Sequence, residues 1–238
     1  SLGLSDLKEF KPEEKIIEYV MAAGAEEQNL LVDVAVRGFA EETSRESPAP
    51  GGGSVSAYMG ALGASLATMV ANLSSHKPGW DDQWDEFAAV AEEGIALQER
   101  LLHLVDEDTE AFNRIMAAFG MPKNTDEEKQ LRTDAIQAAT LFATEVPLET
   151  MKTSYKVFEV CRQMVTTGNP NSVSDAGVGA LAARAAVIGA GMNVKINAAS
   201  LKDREKAEAL ITEADALVEK ANAEEKEITQ TVEEMIRK

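Results

Sequence analysis

The run PAPGGGSVSAYMGALGASLATMVANLSS, residues 48–75, passes from three glycines into a stretch with no charged residue. Glycine has no Cβ, so a backbone there can approach a bound group closely and adopt φ > 0 freely. A helix starting at this point directs unpaired N–H groups and the positive end of its dipole into the loop. Pro48 to Ser54 therefore reads either as a site suited to carboxylate or phosphate or as a plain tight turn. Beyond it, Val55, Met59, Leu62, Leu66 and Met69 recur at helical spacing. A helix without a polar face must be covered on all sides, and Gly60, Ala61, Gly63, Ala64 and Ala67 would let neighbouring backbones come close. Val55 to Ser75 is long enough to raise the question of a membrane span. Its content of Ala, Gly, Ser, Thr and Met, with Asn72 near the end and no basic cluster at the start, favours a helix buried in protein.

A second helix of the same kind is expected from Asp175 to about Asn197, with Gly177, Gly179, Ala180, Ala183, Ala186, Gly189 and Gly191 along it. Around these two, amphipathic helices are expected at Glu13 to Met21, Ala25 to Glu42 and Gln83 to Phe119. Thr125 to Glu128 forms a Thr-x-x-Glu capping box for another helix, which Pro147 should kink or split before Thr167. Gly168-Asn169-Pro170-Asn171 is a strong break, and Leu210 to Met235 stripe a long, otherwise charged final helix. Alternating β patterns are scarce. The expected fold is all-α, a helical bundle with two apolar, small-residue-rich central helices, whose remaining bare surface a second copy covers as a homodimer.

Bulk properties narrow the function. With 238 residues the chain can bury a full core. A net charge of -18 argues against nucleic acid or an anionic membrane as partner, although a local cationic cleft could still hold a small anion. A single cysteine, Cys161, excludes a disulfide framework and metal-finger spacing, and a reducing cytoplasm is the expected compartment. Cys161 itself reads as a small core residue. No signal peptide is recognisable at the start of the sequence. His76 and His103 are too few and too far apart for a metal site, so no metal is expected.

Polar residues on apolar faces supply the candidates. Asp108 falls on the stripe formed by Leu101, Leu104, Val105, Phe112 and Ile115, where a carboxylate needs a partner or a job. Desolvation there would raise its pKa and suit it to proton transfer near neutral pH; a core ion pair is the alternative. Asp106 and Glu110 point elsewhere and read as solvated. Ser172-x-x-Asp175 can cap the second apolar helix, with or without a ligand at its N-terminus. Asn193 and Asn197 share a face one turn apart and need hydrogen-bond partners, in the backbone or on a polar heterocycle.

Several segments together resemble the formimidoyltetrahydrofolate cyclodeaminase family. They are Pro48-Ala49-Pro50-Gly51-Gly52-Gly53-Ser54, Leu104-Val105-Asp106-Glu107-Asp108-Thr109-Glu110-Ala111-Phe112, Met121-Pro122-Lys123-Asn124-Thr125, Ser174-Asp175 and Asn193-Val194-Lys195-Ile196-Asn197, in the family's order. Leu2 to Leu7 and Glu14 to Tyr19 resemble the end of a formiminotransferase domain. The expected division is a linker or tail over 1–22 and a helical cyclodeaminase domain over 23–238. The resemblance implies a homodimer that converts 5-formimidoyltetrahydrofolate to 5,10-methenyltetrahydrofolate and ammonia in histidine degradation. It also implies a folate substrate, polyglutamylated or not, a formiminotransferase domain as partner, and no cofactor beyond the tetrahydrofolate itself.

By the same resemblance Asp108 transfers the proton and Asp175 orients the folate or the cationic amidine. Asn193 and Asn197 contact the pterin or the transferred carbon, and Gly51, Gly52, Gly53 and Ser54 shape the cleft. Lys123, Lys152, Lys156 and Lys195 are candidates for the anionic glutamate tail. The related methenyltetrahydrofolate cyclohydrolases share fold and motifs and stand as the alternative, although the transferase-like start favours the cyclodeaminase. A non-catalytic folate-binding or assembly module is the third reading.

Overall fold

Six α-helices and three short 3-10 turns make up the secondary structure of residues 30–47 and 49–237, which are those described by the structure, a computed structural model. The helices are α1 (Val36–Thr43), α2 (Gly52–Ser75), α3 (Trp84–Phe119), α4 (Asp126–Thr167), α5 (Val173–Ala198) and α6 (Arg204–Ile236). The all-α bundle expected from the sequence is the observed fold. The helix expected at Glu13 to Met21 and the proposed tail over 1–22 lie outside the described residues.

The two small-residue helices sit at the centre and cross with their backbones nearly touching. A Cβ on Gly63 would lie 2.8 Å from the Gly179 carbonyl oxygen, and one on Gly179 would lie 3.0 Å from that of Gly63. Gly52 meets Asn193 at one end of the pair, while Gly63 meets Gly179 further along, so α2 and α5 run antiparallel. α3 and α4 pack on this pair, and α6 closes the bundle against α4 and α5. Leu101 and Leu104 of α3, Met151, Phe158 and Met164 of α4, and Ile228 of α6 are fully buried between them. Each such side chain contributes about 1.5–3 kcal/mol by leaving water. Cys161 is a core residue, its thiol pushed up to about 12 by burial.

Local signals explain most boundaries. The Thr125 hydroxyl accepts from the Glu128 N–H at 3.1 Å while the Glu128 carboxylate accepts from the Thr125 N–H at 3.1 Å, completing the expected capping box of α4. Three expectations need correction. Ala25 to Glu42 is not one helix over its described part: Leu31–Asp33 is a 3-10 turn, and extended backbone at Val34 and Ala35 (ψ 137 and 149) separates it from α1. The Asp106 carboxylate accepts from the Leu31 N–H at 2.6 Å and holds that turn, so Asp106 is half-buried rather than solvated. Of the kink or split expected at Pro147, the split does not occur: α4 is one helix of 42 residues with Pro147 inside it. The carbonyl four residues back, on Ala143, loses its helical donor to the proline ring. The Asn197 Nδ2 supplies the missing donor from α5 at 2.6 Å.

α2 and the segment Pro170–Ala198 are both long and apolar enough to cross a membrane, yet half or more of each apolar stretch is buried against protein. Large apolar side chains stay exposed on both: Leu62, Met69 and Leu73 on α2, with Val178, Leu181, Met192 and Ile196 on α5.

Candidate functional site

The N-terminus of α2 faces α3, and Asp108 reaches across to it. Its Oδ2 accepts from the Ser54 backbone N–H at 2.8 Å and from the Ser54 hydroxyl at 2.9 Å. The anion that the glycine run was read to favour is thus this chain's own carboxylate. Glycine is required at position 53 for a steric reason, since a Cβ there would overlap the Asp108 carboxyl group. Burial is the main influence on Asp108 and raises its pKa above the ordinary carboxylate range; the two bonds from Ser54 act in the opposite direction. No cation pairs with it among the described residues.

A cavity of about 130 Å³ opens in front of this carboxylate. Gly51, Gly52 and Gly53 form one wall, Thr109, Phe112 and Ile115 of α3 another, and Ala143, Asn193 and Asn197 the third. The structure therefore brings Asp108, the three glycines and both asparagines into one place, with Ser54 buried behind Asp108. Asn193 donates to the Gly189 carbonyl of its own helix at 3.0 Å. Asn197 caps Ala143, so one amide hydrogen bond of each asparagine is structural while its remaining capacity faces the cavity.

Thr109 is the residue that reading the sequence missed. Its Oγ1 is buried, has no hydrogen-bond partner among the described residues, and Thr109 borders the cavity. A helical threonine ordinarily bonds the carbonyl one turn back. Position alone, next to Asp108, was the available signal, and it does not reveal whether a hydroxyl is satisfied.

Other candidates fall elsewhere in the chain. Asp175 starts the other end of α5, 18 residues before Asn193 and so about 27 Å away at 1.5 Å per residue. Its expected capping box is not formed, because Ser172 makes no side-chain cap. Lys195 turns away from the two asparagines and pairs with Asp215. Lys152 pairs with Glu213 at 2.8 Å, Lys156 borders a separate cleft with Tyr155 and Glu224, and Lys123 is exposed in the α3–α4 loop. None of the four lysines borders the Asp108 cavity.

The chain is similar to several known proteins. Residues 35–216 match the formiminotransferase-cyclodeaminase family. A methenyltetrahydrofolate cyclohydrolase of Methylorubrum extorquens is 37% identical over 198 residues, which are 83% of this chain and 95% of that protein. A formimidoyltransferase-cyclodeaminase of Rattus norvegicus is 38% identical over 202 residues, 85% of this chain but 37% of that protein, so the chain spans well under half of its length. In the crystal structure of a formiminotetrahydrofolate cyclodeaminase of Thermotoga maritima the same fold recurs, with a TM-score of 0.70, 26% identity, and 86% of this chain and 96% of that one covered.

Proposed function

This chain belongs to the formiminotransferase-cyclodeaminase family, and from that premise we propose that it closes the ring of 5-formimidoyltetrahydrofolate to give 5,10-methenyltetrahydrofolate and ammonia. The observation that carries the reading is a desolvated carboxylate, with no cation beside it among the described residues, at the wall of a cavity that also holds two amides and the Thr109 hydroxyl.

The reaction needs one proton moved. N10 of the folate attacks the carbon of the protonated, cationic amidine, forming the new C–N bond, and must lose its proton. The terminal amine must gain a proton before its C–N bond breaks and ammonia leaves. Asp108, ionised, takes the first proton and returns it to the amine, which balances the step without a covalent intermediate. A carboxyl whose pKa is raised by burial serves both halves better than an ordinary aspartate. Thr109 Oγ1 and the amides of Asn193 and Asn197 hold the amidine and the polar edge of the pterin. Nucleophile and electrophile belong to one molecule, so holding them in register supplies much of the rate, and the scheme uses no metal or redox cofactor.

The first experiment follows ammonia and methenyl absorbance together from 5-formimidoyltetrahydrofolate. Both rising in step, faster than the spontaneous reaction, is the expected outcome; no acceleration overturns the reading. The second reading is hydrolysis of the methenyl ring. It is favoured by the cyclohydrolase relative, which matches over 95% of its length. Methenyltetrahydrofolate consumed without any ammonia-releasing activity would establish it.

We further take the enzyme to serve histidine breakdown in the cytoplasm, receiving its substrate from a formiminotransferase. We also take it to work as a homodimer. Leu62, Met69, Leu73, Val178, Leu181, Met192 and Ile196 are large apolar side chains left exposed on α2 and α5, and a second copy packed on them would take them out of water.

A further inference from the structure

Ser54 is fully buried and does not line the Asp108 cavity, so it can act on a bound molecule only through another residue. Its hydroxyl behaves unlike the others on its helix. Ser56, Ser65, Thr68 and Ser74 each donate to the carbonyl four residues back, and Ser75 donates to the one three back. Four places before Ser54 stands Pro50, which precedes the helix, and the Ser54 hydroxyl crosses to Asp108 of α3 instead.

Both Ser54 donors fall on one carboxylate oxygen. The backbone N–H reaches Oδ2 at 2.8 Å and the hydroxyl reaches it at 2.9 Å. A carboxylate oxygen has two lone pairs, so these donors occupy Oδ2 completely. Oδ1 accepts from neither, and it is not among the buried atoms without a partner, so it opens toward the cavity that Asp108 lines. A Cβ on Gly53 would fall on Oδ1, and glycine there keeps this oxygen uncovered.

We propose that Ser54 is a positioning residue for the ring closure: by occupying Oδ2 with both donors it makes Oδ1 the oxygen that takes the proton from N10 and returns it to the leaving amine. This role rests on the cyclodeaminase reading above. The N10–H bond breaks as Oδ1–H forms, then Oδ1–H breaks as the amine gains its proton, and Asp108 ends ionised as it began. A proton placed on Oδ2 would first have to displace a Ser54 donor.

The same bonds favour the ionised carboxylate, against the burial that opposes it. The groups facing the carboxyl from the other helices are Ser54 and the glycines of α2, Ala143 of α4, and Asn193 and Asn197 of α5, none of which carries charge or titrates near neutral pH. On α3 the neighbouring carboxylates are engaged elsewhere, Asp106 with Leu31, Glu107 with Arg100 and Glu110 with Arg114. Loss of the Ser54 hydroxyl therefore leaves burial less opposed, and Asp108 holds its proton to higher pH.

The test uses the whole chain with 5-formimidoyltetrahydrofolate. Ser54→Ala removes the hydroxyl and keeps the backbone N–H. It is expected to lower kcat at neutral pH about tenfold, the worth of one hydrogen bond to a charged group, with KM within twofold. The acidic limb of its kcat profile is expected to move to higher pH. Ser65→Ala, which removes a hydroxyl bonded to its own helix, is expected to change neither. In the wild type, the Ser54 amide proton followed by NMR is expected to shift along the same titration as that limb. A Ser54→Ala enzyme with wild-type kcat and an unmoved limb overturns the positioning role and leaves the cyclodeaminase reading intact. A Ser54 amide that does not respond to pH overturns it as well, even if Ser54→Ala fails to fold. Should the wild type turn over no folate, the cyclodeaminase reading falls, and the amide titration, which needs no substrate, still decides whether Ser54 holds Asp108.

Discussion

Asp108 accepts a backbone N–H and a hydroxyl of Ser54 on one oxygen, and an asparagine with its Oδ1 in that place can accept both. Asp108→Asn should therefore fold and bind folate while turnover falls at least about a hundredfold, the range for loss of a proton-transfer group. Stability gives an independent check through the raised pKa of Asp108. A carboxyl with a raised folded-state pKa contributes stability below the unfolded value, about 3.9, and loses it as pH rises through the folded value. Asp108→Asn removes that loss. Its Tm relative to wild type should climb between pH 4 and pH 8, and a flat or falling difference would contradict the desolvated carboxylate. Activity of the wild type should likewise drop on the acidic side as Asp108 takes up its proton. At Thr109 the prediction is kinetic. Thr109→Val keeps shape and removes an unsatisfied hydroxyl, so stability should hold or rise while kcat/KM falls about tenfold or more.

Among the elements, α4 shows a helix-breaking signal overruled by its neighbour. Pro147 deprives the Ala143 carbonyl of its donor, and Asn197 of α5 restores one. Without Asn197 a buried acceptor is orphaned, which costs about 1–3 kcal/mol. Asn197→Ala should lose about that much in urea denaturation. In a Pro147→Ala background, where residue 147 again offers its own N–H, the same substitution should cost less than half as much. Equal costs in both backgrounds would show that the Asn197 bond does not depend on the proline. The sequence showed both residues plainly, the proline as a break and the asparagine as an unexplained polar group. It could not show that each answers the other, because they lie 50 positions apart and meet only when α4 packs on α5.

At the scale of the whole molecule, the α2–α5 pair decides both the bundle and its exposed face. Small residues turned inward let the backbones touch, while Leu62 and Leu181 are left outside, 45% and 47% exposed. The combined change Leu62→Glu and Leu181→Glu should keep the helical content and convert a particle of about twice 25.6 kDa to the single-chain mass in sedimentation. A wild type that already sediments as a single chain would overturn the homodimer.

Periodicity, capping chemistry and the absence of charge over residues 54–75 were enough to determine that this chain is an all-helical bundle around two small-residue helices. They also set Asp108 apart, because a carboxylate on an apolar stripe is anomalous wherever that stripe packs. Which groups surround it was settled only by tertiary packing. Helix N-termini, single amides and surface lysines look alike in sequence wherever they stand, and their partners come from elements far away along the chain. Folding placed Asn193 and Asn197 beside Asp108 and Asp175 at the opposite end of α5, and left the Thr109 hydroxyl without a partner among the described residues.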